Sequence, residues 1–288
     1  MSPEATILAG PPVILCADDF GISAAVSAGI EDLALAGRLS AASCMVTFAE
    51  WPQLAVCLKR LRAKIAIGLH INLTVGAPMG PMPKLAPNGM LPGIGALMLV
   101  AGATPEIAAE VTRQIAHFME HAGFAPDFID GHQHAHVLPG VRGGVLAALR
   151  MEAPASRLLI RDPTDDLLSI SQRRVAVAKA MQVMALATGF RKAALAAGLR
   201  TNRGFSGFSS FDLDAPYARE LEAGFNPAGT MHVMMCHPGH MDAVLATRDT
   251  VTARREQEFS ALMAAKGLSE RLWRPDRTQP DLWRAFND

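Results

Sequence analysis

The chain has 288 residues, half of them hydrophobic, with 27 basic and 27 acidic side chains and a formal net charge of zero. That length suits one large α/β domain or two small ones and is ample for a sizeable core, while the charge balance offers neither a basic footprint for nucleic acid nor a charged tail. No run of about eighteen apolar residues is free of charges and breakers, so no membrane span is expected, and Met1 to Pro12 lacks the basic and apolar regions of a secretion signal.

Val13 to Ala17 is a short, continuously apolar run, as in strands buried on both faces of a parallel sheet. It stops at Asp18-Asp19-Phe20-Gly21. Two adjacent carboxylates at a strand end suit a functional site; the alternative is a turn capping the next helix, with Ser23 as the rival cap. Residues 23–36 read as a helix, Ala41 to Val46 as a second strand, and Trp51 to Arg62 as a helix opened by Pro52. Ile65 to Leu69 is a third apolar run and stops at His70, with Asn72 and Thr74 beyond it. Residues 76–103, rich in proline, glycine and methionine, are too long for an ordinary connection and read as a lid or binding loop, or else as a surface insertion.

Thr104 and Pro105 open a helix to about His121. His117 and His121 lie on it at i, i+4, and with no evident partner ligand they read as surface residues. Phe128-Ile129-Asp130-Gly131-His132-Gln133-His134-Ala135-His136 follows as a fourth strand. If it stays extended, alternation turns His132, His134 and His136 toward one space. Such a cluster is either a metal site or a solvated loop. Val141 to Met151 is helical, and Leu158 to Ile160 is a fifth strand ending at Arg161-Asp162-Pro163. Arg161 could hold a substrate anion, orient a carboxylate, or simply pair with Asp162 or another acid. Residues 171–198 are alanine-rich and read as one long helix or two in tandem, with a face for the core or for a second copy in a homodimer. Thr201 to Ser210 suggests a weak strand and an aromatic loop, near the site or simply packed in the core. Met231 to Cys236 is the last convincing strand, stopping at His237-Pro238-Gly239-His240. Arg248 to Lys266 reads as a helix. The 267–288 tail is polar, with Trp273, Trp283 and Phe286 as anchors onto the body. None of Cys16, Cys44, Cys57 and Cys236 forms a CxxC pair, and a reduced, cytoplasmic protein is the simplest account.

Four apolar runs thus end at Asp18/Asp19, His70, Asp130/His132 and His237. In a parallel α/β arrangement all strand C-termini lie on one face, where such folds place their active sites. Asp with two His is a common ligand set for a catalytic divalent ion, and a neighbouring carboxylate suits a general base. That pattern points to metal-assisted hydrolysis. Nucleophilic and nucleotide chemistry lack their signatures: no GxSxG, GxGxxG or P-loop is present.

Ala17-Asp18-Asp19-Phe20-Gly21, Ile67-Gly68-Leu69-His70-Ile71-Asn72-Leu73-Thr74, Asp130-Gly131-His132-Gln133-His134-Ala135-His136 with Pro139, and Met235-Cys236-His237-Pro238-Gly239 together resemble the YdjC-like carbohydrate deacetylase family, of which the chitooligosaccharide-acting type is best known. The motifs run in the family's order from about residue 13 to 240. The resemblance implies an α/β fold, a single-domain distorted (β/α) TIM-like barrel with fewer than eight regular strands. It also implies one divalent ion, magnesium or zinc, and removal of acetyl from an amino sugar; a phosphorylated or lipid-linked sugar stays open. By position, Asp19, His70 and His132 look like metal ligands, Asp18 like the general base, and His237 like the acid for the leaving amine. Asp130, His134, His136 and Arg161 then stand as substrate-contacting or orienting groups. The alternatives are a metal-dependent phosphoesterase and a non-catalytic sugar-binding protein on the same fold.

Overall fold

The computed structural model describes residues 4–152, 158–226 and 230–284; Phe286 lies outside them. Seven strands, β1 (Ile14–Phe20), β2 (Ala41–Cys44), β3 (Ala66–Ile71), β4 (Phe128–Gly131), β5 (Leu159–Ile160), β6 (Gly204–Ser206) and β7 (His232–Cys236), form one sheet in the order β5-β4-β3-β2-β1-β7-β6. Every pairing is parallel. Helices surround the curled sheet, giving the expected single α/β domain with a distorted, seven-stranded TIM-like half-barrel.

Strand alternation divides the apolar residues into two cores. Leu15, Ala17, Ala42, Ile67, Leu69, Ile129, Ile160 and Met234 meet the surrounding helices. Ile14, Cys16, Ala41, Ala66, Phe128, Leu159, Phe205, Val233 and Met235 fill the inside of the curl. Gly68 is part of this inner row. A Cβ there would lie 2.4 Å from the Phe128 ring, so the interior has no room for a side chain at that height. Trp273 and Trp283 stack with ring centroids 4.8 Å apart beneath the strand starts, and the Trp283 indole donates to the Asp127 carbonyl at 3.0 Å.

Several elements differ from the sequence reading. β1 continues to Phe20, so both aspartates lie within the strand rather than after it. Ser23, not an aspartate, caps the helix Ala24–Leu35 by accepting from Val26 N at 3.2 Å. The 51–62 segment is three short pieces, with a 3-10 turn at Ala55–Cys57 between Trp51–Leu54 and Leu58–Leu61. The alanine-rich stretch contributes to Leu167–Arg173, Val177–Leu186 and Phe190–Ala196, because Arg174, Ala176 and Gly189 adopt left-handed backbone conformations that interrupt a continuous helix. The 76–103 segment is mostly turns around a short helix, Ile94–Leu97, yet it is firmly seated. Met82, Leu85, Leu91 and Leu97 are buried. Glu110 and Glu106 on the helix Thr104–Ala122 accept from the backbone amides of Met79, Lys84 and Leu85.

Candidate active site

The inner row of the sheet turns polar at its C-terminal end. Continuing the alternation of Ile14 and Cys16 brings Asp18 inward; Ala41 leads to Ser43, Ala66 to His70, Phe128 to Asp130, and Leu159 to Arg161. Five consecutive strands therefore supply one buried polar layer. Arg161 is its hub. Its Nη1 donates to Asp18 Oδ2 at 2.6 Å and its Nη2 to Asp18 Oδ1 at 2.7 Å, a bidentate fork. The same Nη2 lies 2.5 Å from Asp130 Oδ2. Asp130 Oδ1 in turn meets His70 Nδ1 at 2.6 Å and accepts from the Ser43 hydroxyl. Burial opposes the charge on Asp130, but Arg161 and His70 outweigh it and hold the carboxyl below the usual carboxylate range.

Asp19 has the wrong parity to face this layer from a regular strand. It does so because the β1–β2 register shifts between Ala17 and Phe20 and Asp19 takes a left-handed φ of 70°. Such a conformation is strained for a residue with a Cβ and is common at functional sites. Gly21, at φ 95°, completes the turn, where a Cβ would fall 2.2 Å from the Met45 carbonyl oxygen. Asp19 Oδ1 thereby lies 2.9 Å from His132 Nδ1 and 3.2 Å from His70 Nε2. Its other oxygen accepts from Arg255 Nη2 at 2.6 Å, and that guanidinium also lies 2.5 Å from Asp249. Burial alone would raise the Asp19 pKa, but His132 and Arg255 hold it well below the ordinary value.

The three groups suit a divalent cation. Their donor atoms lie within 4.8 Å of one another, and separations near 3 Å match neighbouring donors around a small ion. His70 donating through Nδ1 to Asp130 leaves Nε2 for a ligand, the usual carboxylate–histidine–metal arrangement. Burial would lower the His70 pKa; the Asp130 and Asp18 carboxylates reverse that and raise it to about 10. The ring thus holds a proton that a cation must displace.

The expected convergence of three histidines does not occur. β4 stops at Gly131, and residues His132–Val137 form a 3-10 stretch in which Gln133 and His134 are left-handed. The rings then diverge. His132 reaches Asp19. His134 packs edge-on against Phe205 and Phe208, at 5.6 and 5.4 Å. His136 bonds the Arg161 carbonyl at 2.8 Å and packs on Phe190. Burial lowers His134 well below its ordinary value and takes His136 to about 4, so both rings are neutral. Arg161 does not pair with Asp162, whose partner is Arg191 at 2.7 Å.

His237 follows β7 on the inner parity. Its amide donates to Glu258 at 2.6 Å, its ring lies edge-on to Phe211 at 5.7 Å, and its Nδ1 is buried without a partner among the described residues. Burial lowers its pKa to about 4 even though Asp19 and Asp18 act in the opposite direction. Sequence reasoning missed Ser43, Asp249, Arg255 and Glu258. Alternation in β2 could have found Ser43. The others arise on or beside the helix Ala253–Ala264, where a mixed-charge pattern hides them.

With this geometry in view, the likenesses to known proteins carry weight. The model of the YdjC-like protein family matches residues 12–268. The human protein named carbohydrate deacetylase is 37% identical over 138 residues, covering 45% of this chain and 42% of that protein. A mouse relative of the same name is covered to 44%, so the chain matches less than half the length of both. The Salmonella typhi protein named chitooligosaccharide deacetylase is 27% identical over 270 residues, covering 91% of this chain and 96% of the other. A solved Enterococcus faecalis structure, named for cellobiose-phosphate cleavage, shares the fold with a TM-score of 0.66 at 21% identity, covering 88% of this chain and 91% of that one. A family match running from the first strand to beyond the last, on a chain whose strand ends assemble the motif residues, places this chain in the YdjC-like protein family.

Proposed function

We propose that the protein is a carbohydrate deacetylase that hydrolyses the amide of an N-acetylated amino sugar with the help of one divalent ion. The observation that carries the reading is the juxtaposition, in one buried layer, of a fixed carboxylate (Asp18 on Arg161) and the Asp19, His70, His132 donor set. The names of the human and Salmonella relatives support the substrate class.

Asp19, His70 and His132 would hold the ion, which when bound supplies Lewis-acid polarisation of the acetyl carbonyl. Asp130 orients His70 and sets its tautomer. Asp18 is the base that takes a proton from the attacking water. The Arg161 fork occupies one direction on each of its oxygens and fixes the carboxylate plane, leaving the remaining lone pairs for that proton. His237 donates to the leaving amine. Its resting ring is neutral, so it takes up a proton during turnover, one that originates on the attacking water and passes by way of Asp18. His134 with Phe205 and Phe208 forms a wall of the inner curl on the sugar side, and the seated 76–103 segment serves as the lid.

A two-ion phosphoesterase has less support. Asp18 and Asp130, the carboxylates a second ion would need, are already paired with Arg161. We place the reaction in the cytoplasm, where Cys16, Cys44 and Cys236 remain buried thiols. Self-association would use the 167–196 helices, where Leu167, Leu168 and Leu195 are exposed. Asp18→Asn tests the mechanism: it should abolish acetate release while the ion stays bound, and near-normal turnover would remove Asp18 from the base role.

A further inference from the structure

A second group of metal-type side chains lies away from the active site, on the solvent side of the helix Thr104–Ala122. It reads His117-Phe118-Met119-Glu120-His121. The spacing His-x-x-Glu-His is one of the patterns by which a helix presents two imidazoles at i, i+4 to zinc with a glutamate beside them. Here the geometry agrees with the pattern. The two rings are one helical turn apart, with centroids 4.5 Å apart and planes at 80°. Glu120 Oε2 lies 3.6 Å from His117 Nδ1 and 3.8 Å from His121 Nε2. One donor atom from each residue lies within 4.8 Å of the other two.

The platform is also rigid. The His117 carbonyl accepts from the Trp51 indole at 3.4 Å, and Trp51 stacks on Phe118 with centroids 5.8 Å apart. The imidazoles are about three-quarters covered, which limits their rotamers, while Glu120 is exposed and leaves the site open to solvent.

We propose that His117, Glu120 and His121 form a second, surface metal site that takes a borderline transition cation such as Zn2+ or Ni2+. Two nitrogen donors select such ions over Mg2+ and Ca2+, which favour all-oxygen sites. Among the described residues no further histidine, cysteine or carboxylate joins the group, so the remaining coordination positions fall to water or to a donor from another molecule. The proposal is independent of the deacetylase reading, because the site shares no residue with the active-site layer.

The test is calorimetric titration of chelator-stripped, full-length protein with ZnCl2. The wild type should bind two ions per chain, and His121→Ala and His117→Ala should each bind one. Glu120→Gln should weaken the second binding event about tenfold or more, the scale of losing a supporting carboxylate. These are partly exposed helix positions, so the variants should fold, and acetate release should be unchanged in each. Two ions in His121→Ala, or one ion in both the wild type and His121→Ala, would overturn the surface site. Unchanged affinity in Glu120→Gln would overturn its three-donor form. One ion in the wild type and none in His121→Ala would uphold this site and count against the site at Asp19.

Discussion

Replacing Arg161 with methionine isolates the hub of the polar layer. Methionine is close in length and apolar, so the change removes charge and hydrogen bonds with little loss of volume. Asp130 would keep His70 and Ser43 as partners. Among the described residues, Asp18 would keep only a weak contact from the Cys16 thiol, at 3.5 Å. Breaking a buried pair by deleting one partner costs about 3–5 kcal/mol, because the remaining charge is left uncompensated. With a urea slope near 3 kcal/mol/M, the unfolding midpoint should fall by about 1–2 M at pH 7. The pH dependence has a definite sign. In the wild type the Asp130 pKa is depressed, so its contribution is present above the unfolded carboxylate value and is lost as pH falls through the folded one. In the variant, burial dominates and a stranded carboxylate recovers by taking up a proton. The deficit relative to wild type should therefore be largest at pH 7 and shrink toward pH 5. Arg161→Lys, which keeps the charge but not the fork, should lose less stability. A deficit below about 1 kcal/mol, or one independent of pH, would refute the argument that Arg161 neutralises this layer.

Two further predictions follow from the same geometry. Asp130→Ala should lower cation affinity at the Asp19 site by about 10–100-fold in calorimetry, because His70 loses the acceptor that fixes its tautomer; equal affinity would mean that Asp130 does not orient His70. Trp283→Ala should cost about 3–5 kcal/mol by opening a cavity beneath the strand starts, with little effect on turnover of the folded fraction. A large change in turnover in fully folded protein would show that the two ends of the curl are coupled.

How far the site was legible depends on which physical rule sets each residue. Asp18, His70, Asp130 and Arg161 were readable because each ends an apolar run, and parallel strands end on one face. Their common layer follows from alternation alone. Asp19 was singled out as a residue, but its inward aim depends on a left-handed φ and a register shift that no period-2 pattern encodes. The same kind of backbone reversal, at Gln133 and His134, defeated the expectation that three alternate histidines share one space. The 171–198 segment misled for a related reason: helix propensity is high around Arg174 and Ala176, and the left-handed conformations that break the helix there are not encoded in it. Arg255 and Glu258 are the least legible. They reach Asp19 and the His237 amide from a helix more than two hundred residues after β1 begins, and nothing in their local sequence separates them from solvated charges.

The central claim is most directly tested by acetate release from N-acetylated mono- and oligosaccharides, using chelator-stripped protein with and without added Mg2+ or Zn2+. Release should depend on the added ion and disappear in His70→Ala. Absence of release with every sugar and ion, or release that persists undiminished in His70→Ala, would contradict it.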